Sequence, residues 1–190
     1  MASSPSRSSD KPSYLGLLNA IAVGEAAAEP LFNVWAATTR DKRLAKALRF
    51  VGMREGEHGK AFAKRMLELG YEVRQSDEAQ FGDQNLEIAG SDMSDLEKFE
   101  AIGIGRSPGE SDVFDGMFAD KFIDPVTGGL LGRYIAEERD SGRRLAAEYE
   151  RLKAKQAKKT AAKKKAVSKK AVSKKTVSKK TTAKKKVAAR

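Results

Sequence analysis

The stretch LAKALRFVGMREGEHGKAFAKRMLEL, residues 44–69, determines the fold that we expect for this chain. Residues at steps of three and four along it share one face of an α-helix. That face comprises Leu44, Leu48, Val51, Glu55, His58, Phe62, Met66 and Leu69. Glu55 and His58 therefore point into the core, where an uncompensated charge is costly. They lie one turn apart and can share a metal ion, although a core histidine satisfied by its neighbouring glutamate is the simpler alternative.

A second predicted helix, which also has a glutamate on its apolar face, precedes this stretch. The chain from Tyr14 to Thr39 reads as a helix with Ser13 as N-cap, and Glu25 interrupts its apolar face. The connection to the next helix is very short, so the two helices must run antiparallel. Glu25 and Glu55 each lie 15 residues from the turn near Arg40, and they should face each other at the same height.

Two segments of these helices resemble a known family. The runs GEAAAEPLFNVWA (24–36) and REGEHGKAFAKR (54–65) are similar to the first half of a rubrerythrin or related ferritin-like di-iron carboxylate protein. The resemblance implies a four-helix bundle in which glutamates and Glu-x-x-His pairs hold two metals. It also implies that Glu25, Glu55 and His58 are ligands.

The third helix of the predicted bundle has the fewest sequence signals. Residues 71–90 read as a loop or crossover, and Ser94 or Asp95 ahead of Glu97 signals a helix start. Glu100 is the inward-facing ligand candidate there, and Glu97 is the alternative. A further helical piece near residues 113–124 would place four apolar residues in the core: Phe114, Met117, Phe118 and Phe122.

The fourth helix is predicted over residues 125–152, with Glu138 in its core face. Because His58 is the only histidine, a second imidazole ligand is impossible. The second half of the site must come from Glu138 with Ser141 or from Glu137 with Asp140, or it is lost.

The implied cofactor is iron, most simply a di-iron centre, with manganese or zinc as alternatives for this oxygen and nitrogen donor set. The chain has no cysteine, so disulfides, thiolate metal sites and cysteine nucleophiles are excluded. A redox cycle would therefore need an external electron donor.

The C-terminal segment is a polycation. Residues 151–190 hold 18 of the 37 basic residues and none of the 26 acidic ones, so this tail carries +18 and the remainder −7. A five-residue unit, KKAVS, repeats with variations from Lys164. Such a tail should stay disordered and bind DNA or RNA through phosphate neutralisation, and it resembles the Lys/Ala-rich tails of linker histones. The candidate nucleic-acid-binding residues are Lys164, Lys165, Lys169, Lys170, Lys174, Lys175, Lys179, Lys180, Lys184, Lys185 and Lys186.

We therefore predict an all-α, ferritin-like antiparallel four-helix bundle over residues 14–150, with a flexible leader (1–13) and a disordered basic tail (151–190). No secretory or membrane-spanning stretch is evident, so we expect a cytoplasmic, nucleoid-associated protein without a membrane partner, and ferritin-like bundles often form homo-oligomers. Three functions remain open at this point. They are redox chemistry on peroxide, oxygen or ferrous iron, non-catalytic nucleic-acid binding on a degenerate scaffold, and a di-iron hydroxylase or oxidase.

Overall fold

The computed structural model describes residues 11–75, 79–105 and 114–187, with side chains over 11–75, 83–105 and 114–162. Five α-helices run through these ranges. They are α1 (Leu15–Thr38), α2 (Lys42–Glu68), α3 (Ala79–Gly90), α4 (Asp95–Ile102) and α5 (Pro125–Val187). A 3₁₀ turn, Asp115–Phe118, precedes α5, and the described residues contain no strand. The prediction of an all-α protein is confirmed.

Helices α1 and α2 form a tight hairpin. Asp41 is the N-cap of α2 and accepts hydrogen bonds from the backbone N–H groups of Arg43 and Leu44. Glycines on α2 allow the two backbones to approach closely. A Cβ atom at Gly59 would lie 3.0 Å from the backbone nitrogen of Ala26. The predicted pairing of two long helices through a short connection is present.

The core lies where α1, α2 and the first part of α5 meet. It is formed by apolar side chains from all three helices: Tyr14, Leu18, Ile21, Ala22, Phe62, Met66, Leu131, Tyr134 and Ile135. Burial of these side chains is the main favourable contribution to folding. The apolar face predicted for α2 is buried as expected from Leu44 to Met66.

The segment between α2 and α4 differs from the prediction of a loop, because it contains α3. The sequence of α3, AQFGDQNLEIAG, has little apolar periodicity, and tertiary contacts hold the helix against α1. The hydroxyl of Thr38 and the amine of Lys98 both donate to the carbonyl oxygen of Ala89, at 3.0 and 2.7 Å. These bonds satisfy a carbonyl that the last turn of the helix leaves free.

Helix α4 starts as predicted but presents a different face. Ser94 and Glu97 form a capping box, and Gly103 in the left-handed conformation ends the helix. The buried residues are Lys98 and Phe99, whereas we predicted that Glu100 faces inward. The ring of Phe99 packs against Trp35 and Tyr149, which fixes the rotation of α4 about its axis.

The segment after residue 113 is only partly in the core. Phe114 and Met117 pack against it, whereas the side chains of Phe118 and Phe122 are 50% and 83% exposed. The prediction that these two residues are core residues was wrong. The chain forms only one 3₁₀ turn here, which is too short to direct all four side chains to one side.

Helix α5 begins at Pro125, as predicted, with Asp124 capping it. The Asp124 carboxylate accepts hydrogen bonds from the backbone N–H groups of Val126 and Thr127, and also from the Tyr14 hydroxyl and the Arg65 guanidinium. Proline is favoured at the first helical position because no hydrogen-bond donor is needed there.

The chain divides into two units, Met1–Tyr149 and Glu150–Arg190. The second unit is helical through Val187, which differs from the predicted disordered tail. Lysine and alanine are frequent in this segment, and both have high intrinsic helix propensity, which favours a helical backbone.

Among the described residues, α1 also has the length and apolar composition needed to cross a membrane, contrary to the expectation that no stretch approaches a span. Core helices of globular proteins meet the same criterion. Helix α1 contains Glu25 and Glu29, and it packs along α2.

Candidate metal centre

Four side chains from three helices converge in the interior. They are Glu25 from α1, Glu55 and His58 from α2, and Glu138 from α5, and each offers a ligand atom within 4.8 Å of the others. Glu25, Glu55 and His58 are buried and Glu138 is half-buried. The hairpin brings Glu25 to the height of Glu55, as the residue count from the turn predicts. We call these four residues the carboxylate cluster.

His58 lies at the centre of the interactions. Its Nδ1 atom is 3.2 Å from Oε1 of Glu138 and 3.9 Å from Oε2 of Glu25. Its Nε2 atom is 2.7 Å from Oε2 of Glu137. The two consecutive glutamates of α5 therefore contact opposite nitrogens of one imidazole ring.

Three buried atoms of the cluster make no hydrogen bond of good geometry with the described residues, although two of them, Nδ1 of His58 and Oε1 of Glu138, lie 3.2 Å apart. The third atom is Oε2 of Glu25. Buried polar atoms are nearly always hydrogen-bonded, and each exception requires an explanation. These three belong to different helices and lie close to one another, and they have the donor chemistry of a metal site.

Aromatic side chains form one wall of the cluster. The Tyr134 hydroxyl donates a 2.7 Å hydrogen bond to Oε1 of Glu25. The Tyr134 ring also packs edge-on against His58, with ring centroids 5.0 Å apart, and against Phe62. Burial, followed by the charge of Glu25, raises the pKa of Tyr134, so this hydroxyl keeps its proton and remains a donor at neutral pH.

The ionisation of the cluster reflects its burial and its close charges. Burial, followed by the adjacent Glu25, raises the pKa of Glu55 to about 11. Burial opposes the charged form of His58, but the surrounding carboxylates outweigh it and raise the pKa of His58 to about 10. Burial likewise opposes ionisation of Glu25, but interactions with His58, Glu55 and Tyr134 give a net lowering of its pKa. Without a metal, protons on Glu55 and His58 compensate the negative charge.

The alternatives left open for α5 are separated by the geometry. Glu138 is in the cluster, whereas Glu137 lies outside it and contacts the Nε2 atom of His58. Asp140 accepts hydrogen bonds from Arg54 and Arg144 at 2.8 and 2.7 Å, so its carboxylate interacts with cations instead. Both guanidinium groups also lie over the ring of Phe50.

The geometry does not support the predicted ligand role of Glu100. This residue is exposed, lies outside the cluster and accepts a 3.3 Å hydrogen bond from the Tyr149 hydroxyl. The alternative, Glu97, is also exposed and belongs to the capping box of α4. The rotation of α4 that buries Lys98 and Phe99 directs both glutamates away from the interior. The side chains of the candidate nucleic-acid-binding lysines, Lys164 to Lys186, lie outside the described residues.

The residues of the cluster fit a hard or borderline divalent cation. Three carboxylates and one imidazole suit iron, manganese or zinc, and the chain offers no thiolate. Comparisons with protein-family models, with curated proteins and with solved structures gave no match to this chain. The class of protein that the structure defines is therefore an all-α protein with a buried carboxylate–imidazole cluster.

Proposed function

We propose that this chain is a ferritin-like metal-binding protein that holds iron in the carboxylate cluster and uses it in redox chemistry with peroxide, oxygen or ferrous iron. The observation that carries the proposal is the convergence of three carboxylates and one imidazole from α1, α2 and α5, with ligand atoms within 4.8 Å of one another. Manganese and zinc suit the same donors.

The electrostatics of the cluster favour a cation. Glu25, Glu55 and Glu138 lie within 4.8 Å of one another in the interior, where like charges repel strongly and desolvation is costly. A bound divalent ion is often the largest local charge in such a site, and it would replace the protons that otherwise neutralise the carboxylates.

The surrounding residues have separate roles in the proposed site. Iron, when bound, supplies one-electron chemistry with oxygen species. The Tyr134 hydroxyl holds Glu25 in position through its 2.7 Å hydrogen bond. Phe62 is fully buried and packs against Tyr134, so that side of the cluster excludes water. Because the chain has no cysteine, electrons must come from an external donor.

The ferritin-like assignment is part of the proposal. It is supported by the antiparallel pair α1 and α2, which supplies one glutamate and a Glu-x-x-His pair, and by the glutamate of α5. The short helix α4 occupies the place of the third bundle helix in the sequence and supplies no residue to the cluster.

Metal analysis of the full-length chain tests this function. The protein should be made without a histidine tag, reconstituted with ferrous iron or manganese under anaerobic conditions, and measured by mass spectrometry. We expect at least one metal ion per chain, lost in Glu55→Ala and His58→Ala. Glu57→Ala is the matched control, because Glu57 is exposed on the same turn of α2. A wild-type chain that retains no metal would overturn the proposal.

Nucleic-acid binding by the tail is a second candidate function, and its supporting observation is the charge of +18 over residues 151–190. Lysines that neutralise phosphates release counterions, so the logarithm of the affinity should fall linearly with the logarithm of the salt concentration. We expect the full chain to shift duplex DNA at low salt and a chain ending at Glu150 not to do so. Binding that survives removal of the tail would exclude this role. If both proposals hold, one chain would carry out redox chemistry at its metal centre while its tail is bound to nucleic acid.

A further inference from the structure

Both carboxylate oxygens of Glu137 are bonded. Oε2 lies 2.7 Å from Nε2 of His58, and Oε1 accepts a 3.0 Å hydrogen bond from Nε of Arg133. Arg133 is one turn earlier on the same helix. The carboxylate is therefore held at both ends, and its orientation is fixed relative to the imidazole.

The contact with His58 is the more significant of the two. The side chain of Glu137 is 26% exposed, whereas that of Arg133 is 68% exposed. An exposed ion pair on a helix surface is worth little, so the contact with Arg133 alone would not explain the position of Glu137. The imidazole that Glu137 contacts is buried, and a hydrogen bond between a carboxylate and a buried ring is strong and directional.

We infer that Glu137 is a positioning residue of the metal centre: it accepts the Nε2–H of His58 and so directs the unprotonated Nδ1 atom toward the metal. The inference rests on the proposed function. A ligating histidine usually donates its other ring N–H to an outer carboxylate, which sets the tautomer and makes the ring a better ligand.

The packing around the ring supports this assignment. Tyr134 contacts the His58 ring edge-on, with the two ring planes at 82°. Glu138 lies on the Nδ1 side of the ring and Glu137 on the Nε2 side. A ring flip would exchange Nδ1 with Cδ2 and Nε2 with Cε1, which would turn Nδ1 away from Glu138 and break the contact of Nε2 with Glu137. The observed orientation is therefore the one that fits a metal at Nδ1.

Zinc binding by the full chain, followed by competition with a chelating dye, measures the effect on affinity. We expect Glu137→Ala to weaken zinc binding by about 10- to 100-fold. Glu137→Gln should retain most of the affinity, because its amide oxygen can still accept the Nε2–H. Glu57→Ala is the control and should bind as the wild type does. Fluorescence of Trp35, the only tryptophan, verifies that each variant is folded.

The state of the ring gives a readout that a merely structural role would not change. His58 is the only histidine, so ¹⁵N NMR of the zinc-loaded protein reports one imidazole without overlap. We expect zinc on Nδ1 and a proton on Nε2 in the wild type and in Glu137→Gln, and exchange broadening or mixed coordination in Glu137→Ala.

The possible failures are distinguishable. If the wild type binds zinc through Nδ1 and Glu137→Ala binds it with equal affinity and the same spectrum, the positioning role is overturned and the metal site stands. If Glu137→Ala and Glu137→Gln lose binding completely, as His58→Ala does, Glu137 is itself a ligand and the inference is wrong. A wild type that binds neither zinc nor iron overturns the proposed function and this inference together.

Discussion

Replacing Glu55 by glutamine should stabilise the metal-free protein and abolish its stabilisation by metal. Burial, followed by the adjacent Glu25, raises the pKa of Glu55 from 4.5 to about 11, so the folded protein holds this carboxyl in its protonated form at neutral pH. The unfolded chain releases the proton above about pH 4.3. A glutamine keeps the shape and the hydrogen-bonding capacity of the neutral acid without that proton uptake.

The pKa difference sets the size of the effect. A group whose pKa is raised on folding contributes its full stability below the unfolded pKa and loses it as the pH rises toward the folded pKa. For Glu55 the loss begins near pH 4.5 and continues to about pH 11. At about 1.4 kcal/mol per pH unit, metal-free wild type should lose roughly 3 kcal/mol between pH 4.5 and pH 7 that Glu55→Gln keeps.

Urea unfolding with a chelator present measures this difference. Trp35 is fully buried against Phe99, so its fluorescence reports the unfolding of the helical core. We expect the stability difference between Glu55→Gln and the wild type to grow with pH between pH 5 and pH 8. Added metal should stabilise only the wild type, by about 2.7 kcal/mol at a free concentration of 100 times Kd. A pH-independent difference, or a metal-free variant less stable than the wild type at pH 8, would refute the reasoning.

Three further changes test the packing and polar contacts around the site by urea or acid unfolding. Gly59→Ala places a Cβ atom 3.0 Å from the backbone of α1 and should destabilise the fold by about 1–3 kcal/mol. In Gly24→Ala the new Cβ atom meets no atom within 4 Å, so this change should stabilise the fold by about 0.5–1 kcal/mol. Equal effects of the two changes would contradict the close approach of α1 and α2. Tyr134→Phe removes the donor to Glu25 and should cost about 1–3 kcal/mol and lower metal affinity; unchanged values for both would exclude its role. Asp124→Ala removes the cap of α5 and should cost about 1 kcal/mol or more. Hydrogen bonds, above all the one from the Thr127 side chain, lower the pKa of Asp124. The contribution of Asp124 to folding stability is therefore present above about pH 4 and is lost as the pH falls. Asp124→Ala should differ least from the wild type in acid.

The part of the site that lies in the hairpin is predictable from sequence. Glu25, Glu55 and His58 occupy apolar faces of two helices, and the short connection at residues 39–41 fixes the relative height of those helices. Helical geometry alone then determines that the three side chains meet, and the structure brings them together.

The part contributed by more distant segments is not predictable in this way. Glu137 and Glu138 are consecutive, and only the rotation of α5 against α1 and α2 decides which enters the cluster. Glu100 has the spacing of an inward-facing residue, but the contact of Phe99 with Trp35 rotates α4 and exposes it. Helix α3 owes its position to bonds at Ala89 that no local pattern indicates.

The α1–α2 hairpin also determines where the chain can change in length. Each residue inserted into an α-helix rotates everything beyond it by about 100° and displaces it by about 1.5 Å. An insertion or deletion within α1 after Glu25, or within α2 before Glu55, would turn one carboxylate away from the other, whatever the inserted residue. The same change beyond His58, in the segment after α2, would leave the three donors of the hairpin in register. The number of residues from 25 to 58 therefore determines whether the donor side chains meet. Selection for the site would act on that number as strongly as on the identity of the residues.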